Sequence, residues 1–191
     1  MVQEKVKVEP FVKLCRAIKR FYSTPHEFCE VYAQDEDGKR CYTNSHVMVT
    51  NMDEVDETAT GIELKTGQVR HVPYPRLQRI FAKVPETQSV VEIPDELLDM
   101  IKPFNARARG KATIEFGSEG IRVYEKDMEM TYREVPVPVD ETVRMDLAYF
   151  KLFQPRAVLL GGPTDMVEFE GCRNSGAEGM DVYVMPLNPA D

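Results

Sequence analysis

The sequence predicts an α+β fold of repeated strand–helix–strands units, with antiparallel sheets carrying helices on one face. Three observations lead there. Amphipathic helical stretches recur three times, several short strand-like runs separate each from the next, and the turns between those runs are of hairpin type.

The first helix is expected over residues 10–22. Pro10 suits the first turn, where its missing N–H costs nothing, and Phe11, Leu14, Cys15, Ile18 and Tyr22 recur at helical spacing. Lys13, Arg16, Lys19 and Arg20 lie off that stripe. A strand over residues 27–33 (EFCEVYA) leads to an Asp-Glu-Asp-Gly turn at 35–38, and residues 39–50 read as a returning strand. Residues 52–60 are acidic and turn-rich, hence a loop, and residues 62–72 alternate as one further strand.

A short strand at 90–93 feeds the second helix, residues 94–104. Asp95 and Glu96 favour its positive start, and Leu97, Leu98, Ile101 and Phe104 form its stripe. Residues 112–116 and 121–124, joined by Gly117-Ser-Glu-Gly120, predict a hairpin, and strands at 128–135 and 143–145 follow. Asp146 is a natural N-cap for the third helix, LAYFKLFQ, which Pro155 stops. The last strands are residues 166–170 and 180–185. The threefold recurrence suggests internal symmetry, although no repeat is visible residue by residue.

Composition narrows the function. The chain has 191 residues, enough for one large domain or two small ones, and is 42% hydrophobic and 29% charged. A net charge of -8 argues against coating nucleic acid by global attraction, yet permits a local basic face. No apolar run approaches the roughly 20 residues that span a bilayer. The opening MVQEKVKVEP has no apolar core of a signal peptide, so a cytoplasmic protein without membrane contact is expected. Cys15, Cys29, Cys41 and Cys172 are scattered without a paired motif and read as reduced thiols, packing where buried.

Catalytic patterns are weak. His26 and Cys29, or Cys41 and His46, lack the paired spacing of a zinc site, and strand residues an odd number apart face opposite sides. Gly161-Gly162-Pro163 is too short for a phosphate loop. A non-enzymatic protein that needs no metal or cofactor is expected.

Three stretches, in chain order, resemble one family. Thr43-Asn-Ser-His-Val-Met48 is similar to a Thr-Asp-Gly-His-Arg-Leu strand, and Tyr74-Pro-Arg-Leu-Gln-Arg-Ile80 to an aromatic-Pro-x-Tyr-x-Arg-Val connector. Val182-Tyr-Val-Met-Pro-Leu187 looks like a hydrophobic Val-Met-Pro terminus. These are features of the bacterial DNA polymerase III beta subunit, the sliding clamp, which the chain resembles in shortened form. Asn44, Ser45, Val47, Met48 and Leu77 depart from that pattern, as does the extension Asn-Pro-Ala-Asp191.

The resemblance implies a DNA-clamp-like fold: residues 1–88 a shortened clamp-like domain with its connector, and residues 89–191 a complete C-terminal one. It implies a peptide-binding pocket where the three stretches converge. Thr43, His46, Val47 and Met48 would form its base, Pro75, Arg79 and Ile80 the connector side, and Val184, Met185, Pro186 and Leu187 an apolar wall. It also implies contact of Lys13, Arg16, Lys19, Arg20, Lys102, Arg107, Arg109, Lys151 and Arg156 with the backbone of double-stranded DNA, without base reading. Partners would be DNA and linear peptide motifs of polymerase or repair proteins, with a homo-oligomeric ring as a further expectation. The alternatives are a clamp-derived interaction module that does not encircle DNA, and an unrelated α+β protein with a chance ending. Taken singly, the basic residues are also what solvated helix faces carry, and 182–187 is also what a core strand looks like.

Overall fold

Helix α1 (Pro10–Arg20) opens with its proline in the first turn and buries Phe11, Leu14, Cys15 and Ile18 along one stripe. The computed structural model describes residues 8–21, 26–53, 60–72, 82–105 and 110–187. The helix ends two residues earlier than its periodicity suggested: Phe21 caps it, its N–H reaching the Ile18 carbonyl at 3.1 Å, while Tyr22 lies outside the described residues.

The strands that follow are shorter and more numerous than expected. They are β1 (Val31–Gln34), β2 (Arg40–Thr43), β3 (Val47–Thr50), β4 (Thr60–Glu63) and β5 (Val69–His71). Residues 27–30 form a 3-10 turn instead of strand, closed by the Cys29 N–H on the His26 carbonyl. The single strand expected over 39–50 is broken in two, because Asn44 Oδ1 accepts both the His46 and Val47 N–H groups and Ser45 takes a left-handed φ of 74°. The strand expected over 62–72 folds back as the β4–β5 hairpin around Gly67, whose positive φ only glycine adopts cheaply.

The next segments are β6 (Ser89–Glu92), α2 (Asp95–Met100), β7 (Ala112–Gly117), β8 (Gly120–Glu125), β9 (Met128–Tyr132), β10 (Val143–Asp146) and α3 (Leu147–Phe153). Helix α2 stops short of the expected residue 104. Pro103 has no N–H to extend the ladder, and the trailing carbonyls of Ile101, Lys102 and Phe104 instead accept from Lys151 Nζ at 3.3, 3.0 and 2.9 Å. Asp146 caps α3 as expected, its Oδ1 accepting the Ala148 N–H at 2.9 Å, and Gln154 ends the helix in the left-handed region. Strand β11 (Ala157–Leu160) was not anticipated; β12 (Val167–Glu170) and β13 (Asp181–Val184) were.

Two antiparallel sheets result. One has nine strands in the order β5-β4-β1-β2-β3-β13-β12-β11-β6, the other four in the order β10-β7-β8-β9. The units β6-α2-β7-β8-β9 and β10-α3-β11-β12-β13 exchange their first strands, since β6 pairs with β11 and β10 with β7. Helix α3 binds the two sheets together: Phe150 packs against Phe116 of β7 at 6.3 Å and Phe169 of β12 at 5.9 Å.

One core fills the space between the helices and the inner sheet faces. A second, smaller cluster of Val31, Ala33, Cys41, Met48, Met52, Val72, Met166 and Tyr183 covers the other face of the nine-stranded sheet. Strand β3 is therefore buried on both sides, with Val47 and Val49 facing the main core and Met48 the smaller cluster. That is why its sequence, VMVT, shows no polar alternation.

Candidate functional site

The nine-stranded sheet has a seam where residues far apart in sequence meet. Strand β3 pairs antiparallel with β13, setting Val47 opposite Val184, Met48 opposite Tyr183 and Val49 opposite Val182. The pairing runs past the end of β13, with the Met185 N–H donating to the His46 carbonyl at 2.8 Å. Sequence separation does not weaken the join, because each backbone group on this buried strand has to be paired somewhere.

At the end of this seam lies a pocket of about 240 Å³ lined by Thr43, Ser45, His46, Val47, Met48, Lys83, Met166 and Met185. Three methionine side chains make it adaptable in shape, since thioether chains are unbranched and polarisable. Its polar rim is held by local bonds. Thr43 Oγ1 donates to the Val47 carbonyl at 2.9 Å and accepts the Ser45 N–H at 3.2 Å, so the turn carrying Ser45 and His46 is braced from below. The Lys83 carbonyl accepts the Met166 N–H at 2.9 Å, bringing residues just before β12 against residue 83.

The turn is fixed to the helices as well. Asn44 is fully buried and every polar atom of its side chain is used: Oδ1 accepts from His46 and Val47, and Nδ2 donates to the Tyr149 hydroxyl and the Ile18 carbonyl. Tyr149 in turn packs edge-on against Phe21 at 5.7 Å. The pocket rim is thus anchored to α1 and α3 through one amide.

Five residues named from sequence come together here: Thr43, His46, Val47, Met48 and Met185. Val184 sits among them in sequence but turns its side chain into the main core. Pro186 follows on half-buried, and Leu187 lines a different concavity with Glu141, Thr142, Arg144 and Pro163, its N–H donating to the Arg144 carbonyl at 2.8 Å. Pro75, Arg79 and Ile80 lie outside the described residues. Ser45, Lys83 and Met166 were not named as site residues; Ser45 lay within the 43–48 stretch and Met166 at a strand start, whereas Lys83 carried no sequence signal.

The basic residues named for DNA are spread over the helix side. Arg16 is spent on the Leu64 carbonyl, Lys19 pairs with Glu30, Lys102 pairs with Asp99 at 2.5 Å, and Lys151 caps α2. Burial lowers the Lys151 pKa, with Glu125 acting the other way. Lys13, Arg20 and Arg156 are exposed and make no side-chain bond among the described residues. Arg107 and Arg109 lie outside those residues. A concavity of about 490 Å³ opens between Phe21, Phe104 and Leu152 on this side, with Lys102 and Lys151 on its wall.

No protein-family model and no curated protein sequence matches the chain. Solved structures do. The DNA polymerase sliding clamp of Caulobacter crescentus superposes with a TM-score of 0.60 at 11% identity, over 94% of this chain and 63% of its own. The DNA polymerase III subunit beta of Pseudomonas aeruginosa gives 0.57 at 9% identity, over 98% and 69%. The Helicobacter pylori beta clamp, solved with a DNA ligase peptide bound, gives 0.59 at 8% identity, over 93% and 63%. The chain thus spans under two thirds of the first of these clamps. Identities so low speak for architecture only, and on that footing the chain has the fold of the bacterial DNA polymerase III beta sliding clamps.

Proposed function

We propose that the protein is a non-catalytic docking platform that binds linear peptide segments of DNA-processing proteins at the β3–β13 seam. The observation that carries this reading is the methionine-floored pocket in which Thr43, His46, Met48 and Met185 meet. An apolar, braced concavity with a few polar groups at its rim is suited to holding one or two apolar side chains of an extended partner. Nothing in such binding requires a cofactor. In this reading residues 89–191 are a complete clamp-like domain and residues 1–88 a shortened one. The peptide-bound clamp of Helicobacter pylori supports it by likeness of fold.

Titration of a fluorescent peptide carrying neighbouring leucine and phenylalanine anchors tests the site directly. Binding in the micromolar range is expected, roughly −8 kcal/mol. Met185→Glu, which puts a charge on the half-buried floor, is expected to abolish it while leaving the circular dichroism spectrum unchanged. Equal affinity in wild type and M185E would overturn the reading.

Whether the platform encircles DNA separates two forms of the proposal. Four of the seven described residues named for DNA contact are already engaged within the chain, as set out above, which favours the interaction module over the ring. Sedimentation with circular and linearised DNA distinguishes them. A closed oligomer retained on circles and lost on linear DNA selects the ring; a species indifferent to DNA selects the module.

A further inference from the structure

The pocket carries a charge asymmetry that an apolar floor does not need. Its lining holds two ionisable side chains, Lys83 and His46, and no carboxylate. This is notable in a chain with 32 acidic and 24 basic residues. Lys83 is exposed, and its ammonium has no ion-pair partner among the described residues. Its position is not arbitrary, because the Met166 N–H holds its carbonyl and so keeps residue 83 beside the thioether floor.

A carboxylate stands farther along the same face of the sheet, two residues from Met166. In the strand register Tyr183 has Met48 as its partner on one side and Glu168 on the other, so Glu168 lies across the sheet from the floor on the same face. Asp181 and Glu170 are close enough to raise the Glu168 pKa together with its burial.

Resting on the docking reading, we propose that Lys83 is a specificity-determining residue. It selects peptides that carry a carboxylate beside their apolar anchor. A solvated ammonium on a flexible stem attracts a carboxylate as a point charge without demanding one geometry. Charges at a rim set specificity and approach more than raw affinity.

The test uses three capped, fluorescent peptides that share leucine and phenylalanine anchors and differ at one flanking position: Asp, Asn or Lys. Their affinities are measured by anisotropy for the wild type, Lys83→Gln and Lys83→Glu, at low and moderate salt. The Asp peptide is expected to bind the wild type about threefold tighter than the Asn peptide and about tenfold tighter than the Lys peptide at low salt. Those gaps narrow as salt screens them. K83Q should flatten the order and K83E reverse it. An unchanged order in K83E overturns the proposal, and so does equal binding of the three peptides to the wild type; in both cases docking itself stands. Failure of all three to bind removes the docking reading and takes the Lys83 proposal with it.

Discussion

The Asn44 amide donates to the Tyr149 hydroxyl at 3.0 Å, a bond that ties the β2–β3 turn to helix α3 across the main core. The same amide accepts the two N–H groups that shape the turn, so one side chain sets both the local conformation of the pocket rim and its place in the fold.

Asn44→Ala would leave the His46 and Val47 N–H groups without their acceptor in a buried setting. We expect a loss of about 3 kcal/mol, from the cost of buried unsatisfied donors, read as a lower urea midpoint at unchanged slope. Tyr149→Phe removes only the hydroxyl and should cost about 1 kcal/mol. In the double variant the two losses should fall short of additive, and strict additivity would mean that the bond carries no coupling.

Gly176 tests how α1 is seated. A Cβ at this position would stand 2.6 Å from the Pro10 carbonyl oxygen and 2.7 Å from Leu14 Cβ. Gly176→Ala is therefore expected to push the start of α1 away and cost about 1–3 kcal/mol, as overpacking does. A thermal midpoint equal to wild type would show that the helix yields without strain.

The thiols should be inert in the folded protein. Burial holds Cys29 up at about 11 and Cys172 up at about 12, and burial, reinforced by Cys41, raises Cys15 well above the ordinary thiol range. Since the thiolate is the reactive form, an aromatic disulfide reagent at pH about 8 should find no fast-reacting thiol in the native protein. All four should react in denaturant. A rapid native phase would locate an opened segment.

Glu168 gives a pH dependence of definite sign. Burial first, then Asp181 and Glu170, raises its pKa, so the folded chain keeps this proton at pH values where the unfolded chain has lost it. Stability contributed at this site therefore falls as pH rises from the ordinary carboxylate value through the raised one, and the ionised group is a burden above that window. Glu168→Gln should raise the thermal midpoint at neutral pH and lose that advantage below about pH 4. An equal gain at both pH values would assign the effect to something other than ionisation.

The helices were legible because their signals are local. Pro10 in a first turn, Asp146 as an N-cap and the stripes of α1 and α3 each stand within a few residues of what they specify. The strands were harder. The break at Asn44 depends on a side chain bonding back to the next two residues, and the true end of α2 depends on Lys151, far along the chain. Strand β11 is four apolar residues after a proline, a run too short for periodicity to classify. In the pocket, Thr43, His46, Met48 and Met185 could be named from resemblance of short motifs. Lys83 and Met166 reach it only through a backbone bond between two loop ends, which leaves no pattern in sequence. Val184 shows the reverse: Met185 beside it lines the pocket, and the two-residue period of a strand sends Val184 to the core.

The β3–β13 seam also fixes an order of events during translation. Strand β3 emerges from the ribosome before β4–β12, whereas its partner β13 follows every other described strand. Until then β3 has β2 on one side and an open row of N–H and C=O groups on the other. A nascent chain in that state exposes a flat apolar edge, the kind of surface that recruits other strands. The window of aggregation risk therefore lasts from the synthesis of β3 until residues 181–184 slot into the sheet.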